Sequence, residues 1–210
     1  MEHDDFAVEP VRGLPEKPPA GEIILWQGRP DTWALAREAL NLNWIIGYFA
    51  LLIVWRVGAS SADYPFLQAM THAIPFAVIG ALSVGLLLFI AWVQAKATVY
   101  TVTTARVAMR VGAALTVTLN LPYSRIEAAD LDLRKQGTGT IAFRTAGETK
   151  LSYLVLWPHV RPWHARHPQP ALRCIPEAEK VARLIAETVE MRMDQPEVSR
   201  RPSGDAVAAE

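Results

Sequence analysis

The chain has 210 residues, with 21 basic and 21 acidic side chains and one cysteine, Cys174. This length accommodates one medium-sized domain and a membrane anchor, but hardly two large globular domains. The single cysteine excludes an intrachain disulfide and a zinc site built from cysteines, and the balanced net charge identifies no class of partner.

Residues 1–39 predict a cytoplasmic N-terminal segment. This segment is acidic and lacks the apolar stretch of a cleavable signal peptide. Four prolines between positions 10 and 19 favour an extended chain, and Glu22–Gln27 favours a short strand. Asp31 is a suitable N-cap for a helix that continues to Leu40, and we expect this helix to lie along the membrane interface.

Residues 40–95 predict a hairpin of two transmembrane helices. The clearer span is the uncharged stretch Ala73–Ala95, whose 23 residues would form a helix of about 34 Å, enough for a hydrocarbon core of about 30 Å. The other span, from Leu40 to about Ala59, contains the apolar run Trp44–Trp55 and reaches about 20 residues with its flanks. A re-entrant or surface-lying helix is the alternative for this span.

The basic residues around the two spans predict their orientation. The connection Gly58–His72 contains no Lys or Arg, whereas Arg29 and Arg37 precede the first span and Lys96 follows the second. Because basic residues favour the cytoplasmic side, both termini are expected in the cytoplasm, although Arg56 near the outer end of the first span weakens the asymmetry.

Small residues recur every four positions in the second span, at Ala73, Ala77, Ala81 and Gly85. Small residues let helix backbones approach closely in lipid. This ridge is therefore a candidate contact face for a partner helix or for a second copy of the chain in a homodimer. The alternative is that it packs against the first span of the same chain, through Gly47.

Residues 96–193 predict a β domain, because the hydrophobic period changes from that of a helix to that of a strand. Apolar and polar residues alternate from Thr98 to Val155 in about six short stretches separated by turn residues, and the last stretch is Leu151–Val155. These stretches are expected to give about six or seven antiparallel strands that form a small barrel or sandwich, and the strand at Glu22–Gln27 would be an addition.

The end of the chain predicts an irregular connection, a helix and a tail. Four prolines interrupt Trp157–Cys174, and Pro176–Met193 then has one apolar stripe, as in an amphipathic helix. Residues 194–210 are expected to be a disordered tail. The fold class is thus two transmembrane helices followed by an antiparallel β domain and a C-terminal helix, which is the pleckstrin-homology-like (PH-like) layout.

Two passages resemble bacterial membrane-anchored PH-like proteins: GEIILWQGRPDTWALA before the first span and YTVTTARVAMRVG after the second. Three others resemble the PuhB family of photosynthetic complex assembly proteins: HDDFAVEPVRGLPEKPPAGE, NLNWIIGYFALLIVWRVG and LWPHVRPWHARHPQPALR. The resemblance extends from about Asp4 to Met193.

The resemblance implies a non-enzymatic assembly factor for the photosynthetic reaction centre and light-harvesting 1 complex of purple bacteria. The implied partners are subunits of these complexes, and the implied location is the inner (intracytoplasmic) membrane. It implies no cofactor and no catalytic residue. The alternative function is that of a general membrane-anchored PH-like scaffold, or of a sensor of lipids or envelope stress.

Two residues before the first span are further candidates for partner contact. Trp26 and Arg29 lie where the chain reaches the membrane, and aromatic and Arg side chains are common at interfaces. The alternative for Trp26 is packing against the β domain.

The remaining candidate sites favour ordinary structural explanations. His159, His164 and His167 could bind zinc as a metalloenzyme would, but their spacing matches no usual site, and packing within the loop is the alternative. Gly137–Gly139 lacks the Lys and Ser/Thr of a phosphate loop and favours a hairpin turn. No strand alternates basic and aromatic residues, so no nucleic-acid partner is expected.

Overall fold

The structure is a computed structural model that describes residues 11–113, 116–134, 137–147 and 151–193. The acidic first ten residues and the predicted disordered tail at 194–210 lie outside the described residues. The helices are α1 Thr32–Glu38, α2 Leu42–Ser60, α3 Phe66–Thr71, α4 Ile74–Ala97, α5 Tyr153–Leu156 and α6 Ala178–Met193. The strands are β1 Ile24–Gly28, β2 Val99–Thr103, β3 Arg106–Val111, β4 Val117–Pro122, β5 Ile126–Leu133, β6 Thr138–Thr145 and β7 Ala171–Pro176.

Helices α2 and α4 pack side by side. Both are apolar on all sides, and each is long enough to cross a membrane. Their contact depends on Gly80 of α4, because a Cβ atom there would come within 2.9 Å of the Phe49 ring of α2. The connection between them contains the short helix α3 in addition to the predicted loop residues.

The seven strands form two antiparallel sheets. The first has the order β1-β2-β3-β4 and the second the order β5-β6-β7. Both sheets contribute to one hydrophobic core, in which Tyr100 and Phe143 are among the largest fully buried side chains. Helix α6 adds Ala178, Val181 and Ile185 to this core, so the predicted class of apolar helix pair, β domain and C-terminal helix is confirmed.

The seventh strand is not where the sequence pattern predicts it. Leu151–Val155 was expected as a strand, but residues 153–156 form the single helical turn α5. The strand is instead β7, which begins within the last residues of the connection expected to be irregular and pairs with β6 through Ile141 and Leu172. Because five of the six residues of β7 are buried, its sequence has no polar alternation by which to recognise it.

The C-terminal helix also begins later than expected. Pro176 was predicted in its first turn, but Pro176 is the last residue of β7, opposite Thr138 of β6. Glu177 then reverses the chain with a φ of +53°, and α6 begins at Ala178. The hairpin turn predicted at Gly137–Gly139 lies earlier: Gly137 is in the turn with a φ of +77°, whereas Thr138 and Gly139 already belong to β6. The Arg134 amide donates to the Thr138 carbonyl oxygen at 2.8 Å and closes this hairpin.

Helix α1 joins the helix pair to the β domain. Its predicted N-cap is confirmed, because the Asp31 carboxylate accepts a hydrogen bond from the Ala34 amide at 2.8 Å. Leu35 packs with Ala95 of α4 and Cys174 of β7, whereas Ala36 packs with Leu42 of α2 and Ala91 of α4. The helix ends at Glu38 rather than at Leu40.

Replacement of Gly80 by Leu tests the contact between α2 and α4. We expect Gly80→Leu to lower the free energy of unfolding by about 1–3 kcal/mol, the usual cost of overfilling a packed contact. Thermal unfolding in detergent measures the loss. Gly85→Leu is the matched control, because a Cβ atom at Gly85 meets nothing within 4 Å; equal losses in both variants would contradict the assigned contact.

Candidate membrane and partner interface

Helices α2 and α4 present an extensive exposed apolar surface. In the most apolar 18 residues of each helical region, only 6% and 11% are buried within the chain. A core helix of a soluble protein is mostly buried. The exposed side chains include Trp44, Leu51, Val54, Trp55, Val78, Leu82, Leu86 and Phe89. A continuous apolar surface of this size indicates contact with lipid or with another protein.

The small-residue ridge of α4 faces mostly away from α2. Ala73 is buried, but Ala77, Ala81 and Gly85 are exposed. The alternative packing through Gly47 is not found, since a Cβ atom at Gly47 or at Gly85 would meet nothing within 4 Å. The internal contact uses Gly80 instead, which leaves the outer three positions of the ridge open to another helix.

Trp26 packs on the β domain rather than facing outward as a partner contact. It lies in β1, is half-buried and contacts the main core. Gly28 makes room for its indole, because a Cβ atom at Gly28 would lie 2.2 Å from the Trp26 Cζ2 atom. Its main contact within the chain is therefore internal.

Arg29 belongs to a basic cluster at the base of the helix pair. It is exposed, and it lines an open cleft of about 190 Å³ together with Trp92 and Lys96 of α4. The Lys96 ammonium lies 4.3 Å from the centroid of the Trp92 ring, a cation–π contact. Arg12 lines an adjacent cleft with Arg29. No pattern in the sequence indicates Arg12, because its approach to Arg29 depends on the contact of the N-terminal segment with β1, where Gln27 Nε2 donates to the Arg12 carbonyl oxygen at 2.6 Å.

The three histidines of the Pro-rich connection do not come together. His159 is fully buried, His167 is exposed, and His164 Nδ1 lies 2.8 Å from the Pro162 carbonyl oxygen. Within the described residues, no group of three His, Cys, Asp or Glu side chains is arranged to hold a metal ion. The structure thus gives these histidines separate environments rather than a shared zinc site.

His159 instead connects the end of α4 to the core of the β domain. Its Nδ1 atom lies 2.6 Å from the Tyr100 hydroxyl, and its Nε2 atom lies 3.0 Å from the Thr98 hydroxyl. The Tyr100 hydroxyl accepts from the Arg173 amide at 3.2 Å. Each of these groups has a hydrogen-bond partner when the Tyr100 hydroxyl donates to Nδ1 and the protonated Nε2 atom of His159 donates to the Thr98 hydroxyl.

Burial keeps this network uncharged. Desolvation lowers the pKa of His159 to about 3, with a further contribution from the positive charge of Arg173. Desolvation also raises the pKa of Tyr100. The network therefore has the properties of a structural connection, and no sequence signal indicates it, because Tyr100 and His159 are 59 positions apart.

Cys174 and Glu38 lie beside this connection. The Cys174 Sγ atom lies 3.7 Å from the Glu38 Oε2 atom, and the Glu38 carboxylate also pairs with Arg134 at 3.3 Å. Desolvation, followed by the charge of Glu38, raises the pKa of the Cys174 thiol to about 12. The thiol is thus buried and protonated at neutral pH, which is opposite to the environment of a reactive cysteine.

Comparisons with known proteins identify similarities over most of the chain. A family model described as bacterial PH domain matches residues 42–189. A protein of Rhodobacter capsulatus, described as an uncharacterized 23.7 kDa protein in the puhA 5' region, is 44% identical over 211 aligned positions. That alignment covers 100% of this chain and 99% of the relative. No solved structure matches the chain significantly.

Buried His159 predicts a dependence of stability on pH. Its pKa is about 3 in the folded chain against an ordinary value of 6.5, so below about pH 6.5 the unfolded chain binds a proton that the folded chain does not. The free energy of unfolding should therefore fall with decreasing pH, by about 1.4 kcal/mol at about pH 5.5 from this residue. Thermal or chemical unfolding at several pH values measures the slope.

Two substitutions isolate this contribution. His159→Gln should lower stability at neutral pH, because buried hydrogen bonds are lost, but it should flatten the pH dependence between about pH 6.5 and 5. His164→Gln, in the same loop but half-exposed, should keep the original slope. Unchanged slopes in both variants would contradict the neutral state assigned to His159.

Proposed function

The chain belongs to the bacterial PH domain family, and on this premise we propose that it is a non-enzymatic assembly factor for the photosynthetic reaction centre and light-harvesting 1 complex. The choice of process rests on two observations: the passages of the sequence that resemble the PuhB family, and the name of the relative from Rhodobacter capsulatus, which places it in the 5' region of puhA. Identity of 44% along the full length of both chains supports a common role.

The proposed location is the inner membrane, with α2 and α4 crossing it and both termini in the cytoplasm. The exposed apolar surface of the two helices supports this placement. The charge arrangement supports the orientation, because Arg29 and Lys96 line one cleft at the base of the pair, while residues 58–72 at the other end contain no Lys or Arg.

The proposed contact with membrane subunits uses the outer positions of the ridge. Ala77, Ala81 and Gly85 are exposed, and the contact with α2 uses a different face of α4. Because lipid provides little hydrophobic drive between helices, close packing over small side chains is a main source of association. Subunits of the reaction centre and the light-harvesting 1 complex are the proposed partners, and a second copy of the chain is the competing occupant of the ridge.

Affinity purification from cells that are inducing photosynthesis tests this proposal. The tagged chain should co-purify with reaction-centre or light-harvesting 1 subunits, and a deletion strain should accumulate fewer assembled reaction centres. Normal reaction-centre levels in the deletion strain would contradict the assembly role.

Enlargement of the ridge tests the contact surface. Ala77→Leu with Ala81→Leu should reduce recovery of the partner subunits several-fold, because the added side chains prevent close approach. Ile79→Phe with Leu86→Phe is the matched control, since both residues are exposed on α4 but lie off the ridge. Equal recovery of the partner subunits with both double variants would exclude the ridge from the contact. Loss of a dimer in detergent with the Ala77 and Ala81 variant alone would assign the ridge to self-association.

A second candidate function is that of a general membrane-anchored PH-like scaffold or a sensor of lipids or envelope stress. The basic cluster of Arg12, Arg29 and Lys96 favours it, because basic side chains near the surface attract anionic headgroups. The deletion strain separates the two functions: a growth defect under envelope stress with normal photosynthetic complexes supports the second.

A further inference from the structure

The Pro-rich connection forms a supported loop on the β domain. Its base is closed by an isolated β-bridge between Val160 and Pro170, and the Arg161 amide donates to the Gln169 carbonyl oxygen at 2.9 Å. The Arg161 guanidinium also donates to the carboxylate of Asp130 on β5. Residues 162–168, which we name the tip loop, therefore project from an ordered base.

The tip loop presents an unusually exposed tryptophan. The side chain of Trp163 is 96% exposed, and its backbone adopts a φ of +66°. Before the base of the loop, Leu154 is 83% exposed and Val155 is 52% exposed. An exposed tryptophan on an ordered base, with further exposed apolar residues nearby in the sequence, is a candidate contact surface.

The charge of the segment that carries the tip loop suits an anionic surface, and the carboxylates of Asp130 and Asp132 near its base are paired with Arg161 and Arg134. No Asp or Glu occurs from Leu151 to Pro176, a segment that contains three Arg and three His residues. Arg161 is paired with Asp130 and Arg173 is buried, but Arg166 in the tip loop is exposed. Tryptophan beside basic side chains is the combination typical of residues at the level of lipid headgroups.

The base of the loop lies next to the ends of the apolar helices. His159 Nε2 lies 3.0 Å from the hydroxyl of Thr98, which is the C-cap of α4. The Arg173 guanidinium reaches the Pro158 carbonyl oxygen at 3.3 Å and the Glu38 carbonyl oxygen at 3.4 Å, so it joins the loop to α1. The base of the loop is therefore fixed close to the end of α4, the point at which that helix would leave the membrane.

We propose that the tip loop is a second membrane contact, in which Trp163 inserts among the headgroups of an anionic lipid surface while Arg166 pairs with their phosphates. The β domain is then fastened to the membrane at the loop as well as at α1 and α4. This proposal relies on the proposed location of α2 and α4 in the membrane, and it is independent of the photosynthetic partner.

Site-specific fluorescence on the full chain in lipid vesicles tests the contact. An environment-sensitive probe is attached to a cysteine introduced as Ala165→Cys, an exposed position in the tip loop that leaves Trp163 and Arg166 intact. Cys174 does not compete for the label, because it is buried and its pKa is raised to about 12. The vesicles contain phosphatidylglycerol, phosphatidylcholine and a lipid with a nitroxide quencher at headgroup depth.

Two control positions define the scale of quenching. Met191→Cys lies at the far end of the β domain, since its neighbour Arg192 bonds to the Thr104 carbonyl oxygen beyond the end of β2, about 17 Å along that strand from α4. Leu82→Cys lies in the middle of α4 and reports whether the helix is in the bilayer, by a blue-shifted emission. If the membrane location is wrong, the emission of the probe at Leu82 is not blue-shifted. If only the loop contact is wrong, the Leu82 probe is blue-shifted but the Ala165 probe is not quenched.

We expect the probe at Ala165 to be quenched several-fold more than the probe at Met191. Trp163→Ala and Arg166→Glu should each reduce that quenching toward the Met191 level. Arg183→Glu, at an exposed arginine of α6, should leave it unchanged. Equal quenching at Ala165 and Met191 would overturn the proposal. A change in the environment of the Ala165 probe that appears only after partner subunits are added would also overturn it, because the loop would then bind protein rather than lipid.

Discussion

The packing of α1 between two partners determines how the rest of the chain is arranged. This helix has only seven residues, too few to be stable alone in water. It is stabilised because Leu35 packs against α4 and β7 while Ala36 packs against α2 and α4, and because the Asp31 amide donates to the Cys174 carbonyl oxygen at 2.8 Å. The position of β7 relative to the apolar helices follows from these contacts. So does the approach of Arg134 to Glu38, which brings β5 close to the same helix.

The two faces of α4 differ in what their small residues contact. Gly80 allows the close approach of Phe49, so the helix pair is closed by a contact that tolerates no larger side chain. The small residues Ala77, Ala81 and Gly85 are exposed, and this is unusual for small residues on a helix built for packing. The proposed partner surface follows from that contrast rather than from the four-residue spacing alone.

Local patterns predicted the parts of the fold that local physics determines. The two apolar helices, the Asp31 cap and the hairpin turn at Gly137 follow from composition, capping and turn chemistry, and the structure contains all three. The pattern failed for Leu151–Val155, whose alternation belongs to a helical turn. It also failed for β7, because a strand with five of its six residues buried lacks alternation and takes its structure from the partner strand. The ridge residues were visible in the sequence, but the outward direction of Ala77, Ala81 and Gly85 was not, since it depends on where Gly80 contacts α2. The link from Tyr100 through His159 to Thr98 could not be predicted at all, because only the closed core brings these residues together.

Between the last residue of α4, Ala97, and the first residue of β2, Val99, there is a single residue, Thr98. Its amide continues the helical hydrogen bonding to the Gln94 carbonyl oxygen at 3.0 Å, and its side chain is occupied by His159. The chain has no hinge at this point. The helix of 24 residues, about 36 Å long, therefore continues through one buried, hydrogen-bonded residue into a central strand of the first sheet. With α4 in its proposed place in the membrane, we expect a change in its tilt or rotation to turn the β domain against the membrane surface.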